Sequence, residues 1–516
     1  MDYEYEYGYD YTPKYDTQEY DYAGKLRRLV RHFESDANAK SMVEKAFMFA
    51  IIAHEDVKRK SGEPYVTHPI AVALNLEEKC ADYETICAAL LHDTIEDCKW
   101  ITKEIIAQNF GETIANLVDG VTKVGIKESK DDKSIQTIKT QNKIAISLEE
   151  DVRVVEIKLA DRDHNMSTIN GHPSLKKRKE IAKETVDVYI PIARHLGQFN
   201  DKERLQRMCF PILHPKKAEE INEIKRELID ENIELRTLIF DLQYPGSKKS
   251  IKKYLEAHGV TVHDVEFKFK EPYSIYKQLE NGKRFDEIND LMTFIIKTDQ
   301  IEDAYKAMQL INLKSVPQNN DEYSIRDFIA HPKHPFFRAI HTYNVIENNG
   351  KKYLFHFQIQ TVEMWRESVN GIASKWNFQT DDSAAAAMKQ SLEEDFPFYD
   401  DLKRLIDDYK KHECSDFEFR EKLGHLILPR QIIIRMPGFT QEQTYEGCSI
   451  KDFIIRLSKK GILSKISPNQ EYYVNGIKKN LLYKLKDNDY FEIRIRENEN
   501  IYSNTKEEKS FQRKRK

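Results

Sequence analysis

Three stretches of the sequence concentrate side chains able to bind a metal ion and handle water. They are Lys58-Arg59-Lys60-Ser61-Gly62-Glu63-Pro64-Tyr65-Val66-Thr67-His68-Pro69, Leu90-Leu91-His92-Asp93-Thr94-Ile95-Glu96-Asp97 and Lys158-Leu159-Ala160-Asp161-Arg162-Asp163-His164-Asn165. The His92-Asp93 pair at the end of an apolar run, with a distant His68 and a distant Asp161, supplies two imidazoles and two carboxylates. A mixed N/O set without thiolate suits Mn2+ or a similar divalent ion better than a structural zinc. If the helix runs on past Asp93, Glu96 lies at i+4 from His92 and Asp97 at i+4 from Asp93, so both acids project near the same face. They are then placed to orient or deprotonate water. Asn165, at i+4 from Asp161, stays beside it, with Val154 and Ile157 anchoring that face in a core. Lys58-Arg59-Lys60 next to Gly62 offers cations for phosphates, and Arg can stack on a purine. Each residue also has a plainer reading: His68 as a helix-start histidine bonded to backbone, the basic run as a solvated turn. Acids and histidines following apolar runs in separate segments are harder to leave as surface, because uncompensated buried charge is costly.

The elements that must position these residues follow from patterning. Residues 1–24 interleave Tyr with Asp or Glu and read as a disordered acidic tail. Residues 25–200 carry helical periodicity, and 201–246 continue as charged connecting helices. Residues 247–396 mix helix and strand, with a hairpin signal at Asn348-Asn349-Gly350. A connector at 397–427 leads to a small β-rich module at 428–497 and a tail at 498–516 that ends in a basic run. The expected fold class is therefore α+β multidomain, beginning with an all-α domain. At ~100–200 residues per domain, 516 residues suggest about three domains.

Composition narrows the partners. With 81 Lys plus Arg against 86 Asp plus Glu, the net charge of −5 is too balanced to imply a dominant nucleic-acid-binding surface. The apolar run at 46–53 falls far short of the roughly 18 residues of a membrane span. The start lacks the pattern of a secretory signal, so a cytoplasmic location is expected. Six cysteines without a CxxC pair read as reduced thiols.

The three segments, continued by Phe110-Gly111, Leu117-Val118-Asp119-Gly120-Val121-Thr122-Lys123 and Tyr189-Ile190-Pro191-Ile192-Ala193-Arg194-His195-Leu196-Gly197, resemble the HD-type hydrolase domain of the RelA/SpoT homologue family. The resemblance implies removal of the 3′-pyrophosphate from guanosine tetra- and pentaphosphate with Mn2+. It implies His68, His92, Asp93 and Asp161 as ligands, Glu96 and Asp97 as the acids handling the attacking water, and Arg59, Lys60, Ser61 and Asn165 as nucleotide contacts. Asp163 and Ser167 depart from the family pattern at the pocket edge.

Tyr273-Ser274-Ile275-Tyr276, Asp290-Leu291, Arg326-Asp327-Phe328-Ile329-Ala330, Ile340-His341-Thr342 and Glu363-Met364 resemble the same family's synthetase domain, which transfers pyrophosphate from ATP to GDP or GTP. Its chemistry is expected to be lost. His356 stands for the activating acid and Gln360 for the following Arg. Ile295 replaces a second Arg, and Pro335-Phe336-Phe337-Arg338-Ala339 replaces a glycine turn, with Phe337 at the guanine-stacking Tyr. A scaffold or regulatory role is the expectation; nucleotide sensing through Lys268, Lys270 and Lys277 is the sharper alternative. Lys451-Asp452-Phe453, Tyr473-Val474-Asn475-Gly476 and Leu485-Lys486-Asp487-Asn488-Asp489 resemble the β-grasp TGS module, which allows a ribosome or tRNA partner. Competing readings of the whole chain are a nucleotide-sensing or ribosome-associated binding protein, and a hydrolase of another phosphorylated nucleotide.

Overall fold

The computed structural model describes residues 20–59, 62–125, 133–317, 325–332, 334–376, 378, 383–395, 399–411, 413–415, 418–419, 422, 431–437, 440–445, 448–459, 462–463 and 470–495. It forms two compact units, 1–428 and 429–516, each taken by itself below. No helix among the described residues is long and apolar enough to cross a membrane. Residues 1–19 of the expected tail lie outside the described residues. A helix already begins at Tyr22, inside that segment, because Asp21 caps it and the Tyr22 ring is buried.

The first unit opens with helices whose starts are written by acids. Asp36 caps Ala37–Ala53, Asp82 caps Tyr83–Leu91 and Asp151 caps Val152–Ser167, each accepting from amides of the first turn. Their apolar faces meet in one core, including Phe47, Leu76, Leu90, Val154 and Ile157. Two buried ionic networks hold these helices in register. Arg153 ion-pairs with Glu84 at 3.0 Å and lies 3.6 Å from Asp82, joining the starts of two of them. Lys79, just past Thr67–Glu78, reaches Glu156 on Val152–Ser167 at 3.3 Å and Asp201 on Phe199–Leu213 at 2.5 Å. Removing one partner of such a pair leaves an uncompensated buried charge, so each network enforces one arrangement.

The condition that the helix run on past Asp93 is not met. The helix stops at Leu91, turns at His92 and Asp93, and resumes as the single turn Thr94–Asp97. Side chains take the carbonyls that continuation would use: His92 Nδ1 meets Ala89 O at 2.8 Å and the Thr94 hydroxyl donates to Leu91 O at 2.6 Å. The Asp97 amide still donates to Asp93 O at 2.9 Å, so these two acids keep their i+4 relation.

The α+β part is a six-stranded sheet of β1 (Val262–Phe269), β2 (Met292–Thr298), β3 (Val316–Pro317), β4 (Arg326–Asp327), β5 (Ile340–Asn348) and β6 (Lys351–Thr361), in order β1-β2-β6-β5-β3 with β4 on β5. Only β2 and β6 run parallel among these pairs. The β5–β6 hairpin closes where expected. Asn349 and Gly350 both take positive φ, 52° and 78°, which a two-residue turn of this hand requires.

Residues after the sheet return to the helical core. Trp376 is fully buried and donates from Nε1 to Asp82 at 2.9 Å, while Ile372 N donates to Leu196 O at 2.8 Å. Gly371 (φ 56°) allows that approach, since a Cβ there would stand 2.1 Å from Leu196 O. Helices Ser383–Asp395 and Tyr399–Lys410 follow, with Met388, Leu392 and Leu402 in the same core.

The second unit pairs β7 (Gln431–Met436) with β8 (Thr440–Tyr445), and β9 (Gln470–Val474) with β10 (Ile477–Lys479) and β11 (Phe491–Ile495). The helix Ile450–Lys459 buries Phe453 and Leu457 with Ile432, Val474 and Phe491. Asn488 adopts φ 66°, a left-handed turn that Asn tolerates better than most residues.

Candidate metal centre

His68 sits in the first turn of Thr67–Glu78, His92 and Asp93 at the break after Tyr83–Leu91, and Asp161 midway along Val152–Ser167. Donor atoms of His68, His92 and Asp93 lie within 4.8 Å of one another. His68 Nε2 is 3.2 Å from Asp161 Oδ1 and 3.5 Å from Asp93 Oδ2, and His92 Nε2 is 3.1 Å from Asp93 Oδ1. The four residues thus converge. Both histidines are buried, whereas Asp93 and Asp161 keep 15% and 14% of their side chains exposed, an opening toward solvent.

The donor set fits a divalent cation. His92 Nδ1 is engaged by Ala89 O, which leaves the buried Nε2, 3.1 Å from Asp93 Oδ1, as the nitrogen turned to the carboxylates. Two nitrogens and the carboxylates converge with no thiolate, a set for a borderline or hard ion. The local field agrees. Burial alone would lower His92, yet Asp93 and Asp161 push it up to about 9. Burial opposes the charge of Asp161, but Lys158 and His68 draw its carboxyl well below the usual range.

Side chains around this centre are ordered by specific bonds. The Tyr65 hydroxyl donates to Asp93 Oδ2 at 2.9 Å; burial first, then Asp93 and Asp97, raise its pKa, so it remains a donor. Lys158 Nζ donates to Asp161 Oδ2 at 3.1 Å, and Asn165 Nδ2 donates to Asp161 Oδ1. His164 Nδ1 lies 2.8 Å from His68 Nδ1; burial first, then His68 and Arg59, lower it to about 3, so this ring is neutral. Glu96 and Asp97 are exposed beside the centre, their carboxyls raised by burial, with Asp93 adding to both.

Arg59 lies in a loop closed by the Lys58–Pro64 bridge and turned at Gly62, whose φ of 99° favours glycine. Its guanidinium reaches His164 Nδ1 at 3.1 Å and both Asn165 Oδ1 and Thr168 Oγ1 at 3.3 Å. Arg59 and Asn165 therefore meet; Lys60 and Ser61 lie outside the described residues. Tyr65, Lys158 and His164 went unassigned from sequence. The signal that could find the last two, on Val152–Ser167, is spacing: 158, 161, 164 and 165 share one helical face.

In the sheet region His356 is buried, and burial lowers it to about 4. Its Nδ1 meets Thr293 Oγ1 at 3.0 Å and its ring stacks on Tyr343 with centroids 4.8 Å apart. Ile295 and Gln360 are buried. Phe337 packs edge-on against Phe199 and His341. The three lysines considered as phosphate contacts are all paired with acids: Lys268 with Glu203, Lys270 with Asp290 and Lys277 with Glu280.

Comparison with known proteins places both regions. Residues 46–199 match the HD domain family and residues 267–383 match the region found in RelA / SpoT proteins. The chain is 34% identical over 359 residues to a guanosine-3′,5′-bis(diphosphate) 3′-pyrophosphohydrolase of Aquifex aeolicus (strain VF5), covering 69% of this chain and 48% of that one. It is 32% identical over 413 residues to a probable GTP pyrophosphokinase of Mycobacterium leprae (strain TN), covering 80% and 50%. A GTP pyrophosphokinase rsh of Brucella melitensis biotype 1 (strain ATCC 23456 / CCUG 17765 / NCTC 10094 / 16M) is 32% identical over 372 residues, covering 72% and 47%. The chain spans about half the length of the relatives it matches.

Proposed function

The chain belongs to the RelA/SpoT family, and on that premise we propose that it is a Mn2+-dependent 3′-pyrophosphohydrolase of guanosine tetra- and pentaphosphate. Its synthetase-like domain is inactive and regulatory. The observation that carries the reading is that donor atoms of His68, His92 and Asp93 lie within 4.8 Å of one another, with Asp161 Oδ1 3.2 Å from His68 Nε2. These four would hold the cation, which when bound supplies Lewis acidity toward water and the phosphoryl group.

The remaining work falls to the chain's own residues. Arg59 and Asn165, with Lys60 and Ser61, bind and orient the nucleotide. Glu96 and Asp97 accept the proton of the attacking water, their raised pKa bringing them closer to the working pH of a general base. The oxygen of water bonds to phosphorus, the ribose 3′-O–P bond breaks, the 3′-oxygen takes up a proton to become the hydroxyl, and GDP or GTP leaves with pyrophosphate. Tyr65 and Lys158 keep Asp93 and Asp161 ionised and aimed. Against synthesis stand His356, Gln360 and Ile295 at positions where phosphoryl transfer needs a base and a cationic clamp. The pairing of Lys268, Lys270 and Lys277 with acids favours a scaffold over nucleotide sensing. The C-terminal unit is proposed as a TGS module contacting ribosome or tRNA, in a cytoplasmic protein.

The test is product analysis with purified protein. Guanosine tetraphosphate with Mn2+ should yield GDP and pyrophosphate, and GDP plus ATP with Mg2+ should yield no tetraphosphate. No release in the first reaction would overturn the hydrolase; product in the second would overturn the inactive synthetase.

A further inference from the structure

His164 belongs neither to the proposed ligands nor to the proposed nucleotide contacts, yet one of its atoms touches both groups. Its Nδ1 is 2.8 Å from Nδ1 of His68 and 3.1 Å from Nη1 of Arg59. A guanidinium only donates, so Arg59 fixes His164 Nδ1 as the acceptor and places that ring's proton on Nε2. His68 Nδ1 must then be the donor. In the neutral ring that leaves Nε2 as the acceptor nitrogen, on the side of Asp161 Oδ1 and Asp93 Oδ2 at 3.2 and 3.5 Å, the tautomer a metal ligand needs. One lone pair on His164 is therefore contested by two donors.

We propose that His164 is a positioning residue that sets the tautomer of His68 and couples cation binding to the engagement of Arg59 by an anionic nucleotide. The inference rests on the function proposed above. When a phosphate draws the guanidinium away, the His164 lone pair turns wholly to His68 Nδ1–H. A stronger bond there makes Nε2 the better donor to a cation, as hydrogen bonds to the far nitrogen of a ligating histidine do. By reciprocity, whatever strengthens the claim of His68 Nδ1–H on that lone pair, as cation binding at Nε2 would, loosens Arg59 from His164 for substrate. Arg59 keeps two other acceptors, Asn165 Oδ1 and Thr168 Oγ1, so its release from His164 is a small rearrangement.

The test is calorimetric titration of the full chain with Mn2+ in the absence of nucleotide, with circular dichroism to check folding. The proteins are wild type, His164→Phe, His164→Asn, Arg59→Ala and the two double variants. His164→Phe removes the acceptor and should weaken Mn2+ binding ~10–100-fold. His164→Asn puts an amide oxygen near the place of Nδ1, with two lone pairs for two donors, and should retain most of the affinity. Arg59→Ala should tighten Mn2+ binding in wild type by more than in either His164 background. The part common to all backgrounds is the field of the lost guanidinium; the excess is the contest for the lone pair. Should His164→Phe misfold, the comparison of wild type with His164→Asn reads the same excess. Unchanged Mn2+ affinity in folded His164→Phe, or an equal Arg59→Ala effect in every background, overturns the proposal and leaves the hydrolase reading standing. A wild type that binds no Mn2+ removes both.

Discussion

Replacing Asp161 by Asn separates the chemistry of the centre from its stability. The carboxylate has two duties: Oδ1 faces His68 Nε2 at 3.2 Å, and Oδ2 accepts from Lys158 Nζ at 3.1 Å. Asn keeps the shape but deletes the charge. Lys158 is only 8% exposed, so the loss leaves a buried ammonium without its nearest counter-charge, and breaking such a pair costs ~3–5 kcal/mol. At the centre, loss of an anionic ligand weakens the hold on a cation whose Lewis acidity is worth several kcal/mol, and ~4 kcal/mol is ~10³-fold in rate. Asp161→Asn should therefore lower the thermal midpoint and reduce Mn2+-dependent pyrophosphate release by about three orders of magnitude. Adding Lys158→Met replaces the orphaned charge by an apolar chain of similar length and should recover most of the stability, as replacement of a whole buried pair does. Hydrolysis should stay lost. Calorimetry with Mn2+, pyrophosphate release and melting curves on the three proteins decide the matter. Wild-type hydrolysis by Asp161→Asn would refute the centre; activity restored together with stability in the double variant would reduce Asp161 to a structural partner of Lys158.

Three further outcomes follow from the geometry. His356→Ala should leave pyrophosphate release nearly unchanged, and His356→Glu should form no tetraphosphate from GDP and ATP, because Ile295 and Gln360 still offer no cation; product formation would show that the acid alone was missing. His195 and His334 are buried, and burial lowers them to about 3 and about 4. They stay neutral in the fold while the unfolded chain takes up protons below pH ~6.5, so their contribution is full above that pH and is lost as pH falls toward about 4, by ~2 kcal/mol per group at pH 5. Melting curves from pH 7.5 to 5 should show this slope, and His334→Asn should flatten it; an unchanged slope would exclude this histidine. Gly371→Ala forces a Cβ to 2.1 Å from Leu196 O at a φ of 56°, and should destabilise the fold by roughly 2–5 kcal/mol, read as a lower denaturation midpoint. Gly62→Ala, with nothing within 4 Å of its Cβ, should have the smaller effect.

What the sequence disclosed and what it withheld divide along the range of the interactions. Elements set by local pattern were readable. The mixed helix and strand pattern of 247–396 became the six-stranded sheet with its helices, and Asn349-Gly350 became the expected hairpin turn. The residues proposed to act at the centre were readable as types, since His68, His92, Asp93 and Asp161 stand out at the ends and faces of apolar helices. Their ordering partners were not. The bond from His164 to His68 spans 96 positions, and that from Trp376 to Asp82 spans 294; no local period encodes either. Even the break after Leu91 depends on local side-chain competition for carbonyls that periodicity alone ignores. The same distinction explains the synthetase-like region. Its departures were legible as changes of residue type, and the structure shows how the residues present there pack. Phe336 is 2% exposed and belongs to the helical core, His334 Nε2 meets His195 O at 3.3 Å, and a Cβ at Gly197 would collide with both side chains. Where the family carries a glycine turn, this chain carries aromatic rings wedged against the segment that follows the proposed hydrolase helices. A region packed into the core that positions His92 and Asp161 is under physical constraint as a support. On the proposed reading, that constraint accounts for a sheet retained without its chemistry.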